Sequence, residues 1–323
     1  MITVRPFNTD LRVHALILLR IGVLGGLFGL AYICWSAGGG FLVLSVIFYL
    51  VYCAFWNTWG WAGIGHELIH NSPFRSRLSN RLYLWLASFL SLSNKNLFYV
   101  THFAHHHDPH GEDDFESPLH HNSSEAKRNS YLNFHSLIDL RKLNNFLRYT
   151  TLNTFGYIPA PRLVDFLRKK KRFDDVIFNA RMLFAYVTIL IIISFASDSA
   201  FLVFLLLVPN FIGTSMVKSL ALLQHPTKNL LEAVGVNEIE FKGSSHPLHE
   251  LDSNFLRDGL DAEMPQWVSF FYANMNYHAS HHNRLTLPFF CLPNESEVNL
   301  MEGRVCRIKL GNLQIMKIWF AAL

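Results

Sequence analysis

Long apolar segments constrain this chain more than any other feature of its sequence. Half of the 323 residues are hydrophobic and only 16% are charged, which is too apolar for an ordinary soluble protein of this length. A helix of about 20 residues crosses a hydrocarbon core of about 30 Å, and residues 15–35 and 39–62 each provide such a segment. A third apolar block is interrupted at Ser197–Ser199. It therefore predicts two helices, over 182–196 and 200–223, joined by a tight turn.

These segments predict an all-α integral membrane protein with four transmembrane helices in two hairpins and a cytoplasmic helical cap. No internal repeat or low-complexity linker interrupts the sequence, so residues 1–323 are expected to form one domain. Three basic segments, 75–81, 141–148 and 168–173, lie between the second and third spans. The positive-inside rule places that region in the cytoplasm, which predicts a multi-pass protein whose termini and cap face the cytoplasm. The shorter apolar segment 81–93 predicts a helix at the membrane interface.

Arg20 is the charged residue inside the first predicted span. Its place in the sequence favours a side chain that extends to the headgroups at the membrane boundary, because long basic side chains can keep their charge in water while their stems stay in lipid. The first apolar run has no small-residue cleavage site, and a second span follows it almost at once. We therefore expect it to be retained as a transmembrane helix and not removed as a signal peptide.

Charge and cysteine content argue against two further classes. The net charge is +4, and no basic stripe carries interleaved aromatic residues, so we expect no nucleic-acid partner. The four cysteines have no C-x-x-C spacing and are expected to be packing residues rather than a disulfide framework.

The first cluster of histidines, HELIH, follows the second predicted span. His66 and His70 are four residues apart, which places them one turn apart on a single helical face and suits two ligands of one metal ion. The same letters fit the H-E-x-x-H pattern of zinc proteases, in which Glu67 would be the general base. This motif alone leaves both interpretations open.

Two further clusters share a second spacing, H-x-x-H-H, which puts three histidines of each cluster on one helical face. Burial of eight imidazoles without partners would be costly, so packing alone does not explain them. Eight or nine nitrogen donors also exceed the four to six ligands of one ion, which predicts two metal ions. Imidazole suits zinc, copper, iron and nickel, so the element stays open here. The two clusters consist of His102, His105 and His106, and of His278, His281 and His282.

The three clusters, HELIH, HFAHH and HASHH, resemble the histidine boxes of the membrane fatty acid desaturase and hydroxylase superfamily. They come in the order of that family, and NMNYHASHH resembles the N-x-N-Y-H-x-x-H-H form of acyl-lipid desaturases. The resemblance implies a non-haem centre of two iron ions (Fe2+), molecular oxygen as oxidant, and a lipid or acyl-carrier substrate. It implies oxygen-dependent desaturation of a fatty acyl chain, with a hydroxylase or ketolase of a lipid or carotenoid as the alternative. No H-P-G-G segment of a fused cytochrome b5 domain occurs, so electrons are expected from a separate donor of ferredoxin or cytochrome b5 type.

The resemblance also implies a ninth ligand between the last span and the third box. His225 is favoured there, with His246 and His249 as alternatives. Asp114 is a candidate partner for a ligand imidazole, and Asn274 is a candidate for a water-mediated contact with the metal. The implied ligands are His66, His70, His102, His105, His106, His225, His278, His281 and His282.

Two other classes explain less of the sequence. An intramembrane zinc protease accounts for HELIH but gives no reason for six further histidines in two matched clusters. A metal transporter would place ionisable residues near the middle of the bilayer, whereas these histidines follow the ends of the predicted spans.

Overall fold

The computed structural model describes residues 9–60, 63–108, 113–114, 161–213, 223–224, 231–232, 234–250 and 259–322. The predicted ligand His225, the basic segment 141–148 and most of the second half of the fourth predicted span lie outside these residues. Within them the protein is mostly helical.

Two described helices are long and apolar enough to cross a membrane: α1, Thr9–Ala37, and α7, Phe173–Ala196. Two more are apolar but shorter, α2 at Phe41–Trp56 and α8 at Val203–Gly213. The second span was predicted over 39–62, but its α-helix ends at Trp56 because the glycine-rich sequence that follows has low helix propensity. The structure therefore provides two candidate membrane spans. The arrangement of four spans in two hairpins stays a prediction.

Helices α1 and α2 form the first hairpin. The turn between them uses Gly38 and Gly39, whose φ angles of +67° and +57° suit glycine. Across the hairpin, the hydroxyl of Ser45 donates a 2.7 Å hydrogen bond to the carbonyl of Ala31. The ring of Phe28 lies 5.2 Å from that of Tyr52, measured between centroids. This packing fixes the direction in which α2 enters the first histidine cluster.

Helices α7 and α8 meet in the predicted turn at Ser197–Ser199, where Asp198 adopts a φ of +47°. The first part of α8, Val203–Leu207, is a π-helix. The hydroxyls of Tyr49 and Tyr52 on α2 donate hydrogen bonds of 2.8 and 2.6 Å to the carbonyls of Phe204 and Leu205. Because a π-helix displaces carbonyls from the usual α-helical pattern, these bonds hold the widened turn against the first hairpin.

Arg20 does not extend to the membrane boundary as the sequence suggested. Val13, Ile17, Arg20 and Leu24 are spaced by three or four residues and form a buried stripe of α1, with Arg20 only 2% exposed. The stripe faces the rest of the protein, so the helical register carries the guanidinium inward.

Short helices join the spans to the cap: α3 at Ile64–Ile69, α4 at Arg77–Leu90 and α5 at Lys95–His107. Helix α4 leaves Leu78 and Leu82 63% and 59% exposed on one face. This exposed apolar face agrees with the predicted interfacial helix.

Asparagine caps α5 and ties it to α7. The side chain of Asn94 accepts a 3.0 Å hydrogen bond from the amide of Leu97 and donates one of 2.8 Å to the carbonyl of Val176. Helix α6, Pro161–Lys169, packs Leu163 and Phe166 in the same apolar cluster as Leu97. The second histidine cluster, in the last turns of α5, therefore stands on a helix anchored at its beginning.

The cap also holds a small sheet that the all-α prediction missed. Its strands are β1 at Glu238–Phe241, β2 at Ser244–Pro247, β3 at Asp261–Glu263 and β4 at Arg307–Lys309, in the order β2-β1-β4-β3. Strands of three or four residues are too short to show a period in the sequence. The remaining helices are α9 at Gln266–Phe271, α10 at His278–Asn283, α11 at Leu292–Met301 and α12 at Asn312–Ala322.

Helix α3 lies against the turn that ends the second span, which leaves no room for a side chain at Gly65. A Cβ there would lie 2.8 Å from the carbonyl oxygen of Gly60 and 2.9 Å from that of Trp59. Both are backbone atoms, so α3 itself must move. Gly65→Ala should therefore destabilise the protein by about 1–3 kcal/mol, measured as a lower melting temperature in detergent.

Gly25→Ala is the matched control, because a Cβ at Gly25 in α1 meets no atom within 4 Å. Helix propensity alone predicts a gain of roughly 0.5–1 kcal/mol for this variant. Equal melting temperatures for the two variants would contradict the close packing of α3.

Candidate metal centre

Three short helical segments bring the histidine clusters together. His66 and His70 lie at the end of α3, the second cluster occupies the last turns of α5, and the third forms most of α10. These elements come from three separate parts of the chain. All eight predicted histidines that the structure describes converge on one region of the protein.

The eight histidines form two groups. Within each group, one nitrogen atom of every ring lies within 4.8 Å of the corresponding atoms of the other rings. Most of these side chains are buried, and His106 and His282 are half-buried. The larger group holds His66, His70, His102, His106 and His281, and the smaller holds His105, His278 and His282.

The nitrogen atoms of the larger group approach one another too closely and too often for hydrogen bonding alone. His281 Nε2 lies 3.0 Å from His66 Nε2 and 3.3 Å from His70 Nε2. His102 Nε2 lies 3.0 Å from His70 Nε2 and 2.8 Å from His106 Nε2. A ring nitrogen carries either one hydrogen or one lone pair, so an atom with two such neighbours cannot bond to both. Lone pairs that converge on a cation would satisfy all of these contacts.

Burial keeps three histidines of the larger group in the neutral form that binds metals. It lowers the pKa of His70 to about 4. For His102 and His281 the pKa is held well below the usual value, first by burial and then by the neighbouring histidines. Near neutral pH these rings are unprotonated, and their lone pairs are available to a metal ion.

The donor set fits metal binding at two positions. Eight ring nitrogens exceed the four ligands of an ordinary zinc site, and they fall into two groups, so the number of donors suits two ions better than one. Imidazole is a common ligand of zinc, copper, iron and nickel, and its presence alone does not select among them.

Asp114 contacts the smaller group. Its Oδ2 atom lies 2.9 Å from His105 Nδ1, and both side chains are buried. Carboxylates in this position fix the orientation of a ligand imidazole and increase its basicity. The contact has the geometry expected for the predicted role of Asp114, which stays a prediction.

The side chain of Asn274 forms a hydrogen bond with the backbone and not with a histidine. Its amide group donates a 3.0 Å hydrogen bond to the carbonyl of Phe289, which follows the third cluster. The residue adopts a φ of +54°, a conformation that asparagine tolerates better than most residues. Its predicted water-mediated contact with the metal stays a prediction.

Glu67 reaches the third cluster from inside the first. Its Oε2 atom accepts a 2.5 Å hydrogen bond from the hydroxyl of Ser72, and its Oε1 atom lies 3.5 Å from His281 Nδ1. Burial raises the pKa of Glu67 to about 8, while the bond from Ser72 lowers it. The Oε1 atom of Glu67 therefore points towards the ring of His281.

Sequence reasoning missed the polar support beneath α10. Asp261 on β3 accepts hydrogen bonds from the backbone amide of Ser280, at 3.0 Å, and from its hydroxyl, at 2.5 Å. Asn299 on α11 donates a 3.0 Å bond to the same hydroxyl. All three residues are buried. No local spacing links them in the sequence, since 19 residues separate each partner from Ser280.

The two alternatives for the ninth ligand lie apart from both groups. His246 is on β2, where it pairs with Ile239 of β1, and His249 is in the 3-10 turn Leu248–Glu250. Among the residues that the structure describes, neither belongs to a group of possible metal ligands. His107, next to the second cluster, is exposed and also lies outside both groups.

Fold and site together define a mostly helical protein with apolar membrane-type helices and buried histidine groups able to hold metal ions. The chain belongs to the fatty acid desaturase family, because the model of that family matches residues 43–302, well over half of the chain. This match confirms the family predicted from the three clusters and marks the protein as a metal-dependent, membrane-associated oxidoreductase of lipids. No curated protein matches the chain.

Removal of the charge at Asp114 should weaken metal binding. Asp114→Asn keeps the size of the side chain but replaces the carboxylate that faces His105. Loss of such a partner typically reduces metal affinity about 10- to 100-fold, which can be measured by competition with a chelator. Asp113→Asn is the control, because Asp113 is adjacent but exposed. Equal affinities for the two variants would contradict the role of Asp114.

Proposed function

We propose that the protein catalyses oxygen-dependent desaturation of a fatty acyl chain at a centre of two iron ions. The observation that carries this proposal is the pair of histidine groups, five rings and three, in a chain of the fatty acid desaturase family. Eight nitrogen donors in two groups match two ions better than one. In this proposal the nine implied histidines are the ligands.

The geometry favours redox chemistry over peptide hydrolysis. A zinc protease would use Glu67 to activate water on a single ion with an open coordination position. Here Glu67 is buried and directed at Ser72 and His281. The larger group alone already provides five ring nitrogens, which exceeds the three protein ligands of a catalytic zinc site.

The residues of the chain act by binding, orienting and excluding water. The histidines hold the metals, while Asp114 and Glu67 face the outer nitrogens of His105 and His281. The iron ions would supply the activation of molecular oxygen. Desaturation removes one hydrogen from each of two neighbouring methylenes, while O2 takes up four electrons and four protons to give two waters. The two hydrogens from the substrate supply half of the electrons and half of the protons. The remaining electrons must come from a donor, and the remaining protons from solvent.

The donor is proposed to be a separate protein of ferredoxin or cytochrome b5 type. The substrate is proposed to be a lipid or an acyl group on a carrier, which agrees with the lipid substrates of the family.

The proposed arrangement in the membrane has four spans in two hairpins, one domain over residues 1–323, and a cytoplasmic active site. Helix α3 comes shortly after the end of α2 in the sequence, so the first histidine cluster lies at the end of a hairpin opposite to the turn at Gly38 and Gly39. The exposed leucines of α4 support an interface at the same end. The basic segment 168–173, between the proposed hairpins, supports the cytoplasmic orientation.

Mass spectrometry of lipid extracts tests the reaction. Cells that express the wild-type chain should contain acyl chains lighter by about two mass units, and a gain of about sixteen would instead identify a hydroxylase. His281→Ala should abolish the new species and lower bound iron, whereas His107→Ala should do neither. The proposal is wrong if the His281→Ala protein lacks iron and still produces the unsaturated lipid.

A further inference from the structure

Arg20 is a buried cation that the proposed chemistry does not use. It lies on the inward stripe of α1 and is only 2% exposed. Within the described part of the chain, its Nε and Nη2 atoms are buried and have no hydrogen-bond partner. A charged group inside a membrane protein is costly to maintain and marks a functional site unless a counter-charge compensates it.

The two aromatic rings beside Arg20 do not accept hydrogen bonds from its Nε and Nη2 atoms. The guanidinium carbon lies 4.9 Å from the ring centroid of Phe270 and 5.8 Å from that of Phe289. Aromatic rings attract a guanidinium through the faces of the rings. The N–H donors lie in the plane of the guanidinium and form a rigid fork that fits the two oxygens of a carboxylate or phosphate. The two phenylalanines therefore hold the cation without neutralising it.

A series of neighbouring residues links Arg20 to the candidate metal centre. Phe270 and Phe289 belong to segments on either side of the third histidine cluster. The backbone of Phe289 acts on Glu67, whose pKa it lowers. Glu67 in turn lies 3.5 Å from His281 Nδ1. The cation thus sits where a membrane helix meets the support of the metal ligands.

We propose that Arg20 binds the anionic end of the substrate, a carboxylate or a phosphate, and so fixes which part of the acyl chain reaches the histidine groups. This inference rests on the proposed lipid-oxidising function. The anion of a bound amphiphile would supply the counter-charge that the described residues do not. A bidentate contact would make Arg20 a determinant of both affinity and position of attack.

Binding of defined amphiphiles to the purified, metal-loaded protein in an uncharged detergent tests the proposal. One arm compares palmitate with hexadecanol, and the other compares phosphatidylglycerol with diacylglycerol, which separates a free carboxylate from a headgroup phosphate. In at least one arm the wild type should bind the anion at least about tenfold more tightly than its neutral partner, as a charge-assisted bond predicts. Arg20→Gln should lose this preference and keep the affinity for the neutral compound.

Arg12→Gln is the matched control. Arg12 is on the same helix and its guanidinium carbon lies 4.6 Å from the ring centroid of Phe290, but its side chain is exposed. This variant should keep the anion preference of the wild type. An unchanged preference in Arg20→Gln, or no preference in the wild type in either arm, would overturn the proposal.

Melting temperatures separate binding from a structural role. Arg20→Gln and Arg20→Met remove a buried charge that no described residue compensates, so both should melt at or above the wild-type temperature. Lower melting temperatures in both variants with an unchanged anion preference would assign Arg20 to structure alone and refute the proposal.

The assay needs no turnover, so the two proposals can fail separately. Unsaturated lipids in cells, together with an anion preference that does not depend on Arg20, would refute the substrate anchor alone. Loss of the preference in Arg20→Gln without any oxidised lipid would support the anion site and refute the proposed reaction.

Discussion

The rest of the structure depends on the convergence of eight buried or half-buried imidazoles from three separate segments. In the larger group the Nε2 atoms approach within about 3 Å, and three of them approach two neighbours at once. Neutral rings cannot satisfy such contacts with hydrogen bonds, and charged rings would repel one another in a buried site. Bound cations would resolve the conflict, and would then hold the three segments together as well as supply the chemistry.

The fold prepares this convergence with buried polar contacts behind each cluster. Asp114 faces His105, Glu67 faces His281, and Asp261 holds the backbone and hydroxyl of Ser280 between the ligands of α10. The carboxylates come from different elements, so each contact connects one ligand segment to another part of the cap. Such outer contacts decide ring orientation, and loss of one is expected to affect the metals more than the overall fold.

Local spacing explains what the sequence could predict. The i, i+3 and i+4 patterns placed eight histidines on helical faces, and the structure brings all eight together. The turn at Ser197–Ser199 and the hairpin of α1 and α2 also follow from local composition. The contact of Asp114 with His105 joins residues only nine positions apart, which made it accessible to sequence reasoning.

What the sequence could not predict depends on tertiary contacts. Burial of Arg20 follows from the side of α1 that packs on Phe270 and Phe289, which are distant in sequence. The pairing of Asp261 with Ser280, the parallel pair of β3 and β4, and the end of α2 at Trp56 likewise have no periodic signal. These features depend on the segment that each residue packs against, and the local sequence carries no pattern that reports it.

The metal content of the purified chain tests the central claim most directly. Protein prepared without chelators from iron-supplemented cells should contain two iron ions per chain by elemental analysis. The account predicts this number because it assigns one iron ion to each of the two histidine groups. A single ion per chain, or zinc in place of iron after the same preparation, would contradict the proposed diiron centre.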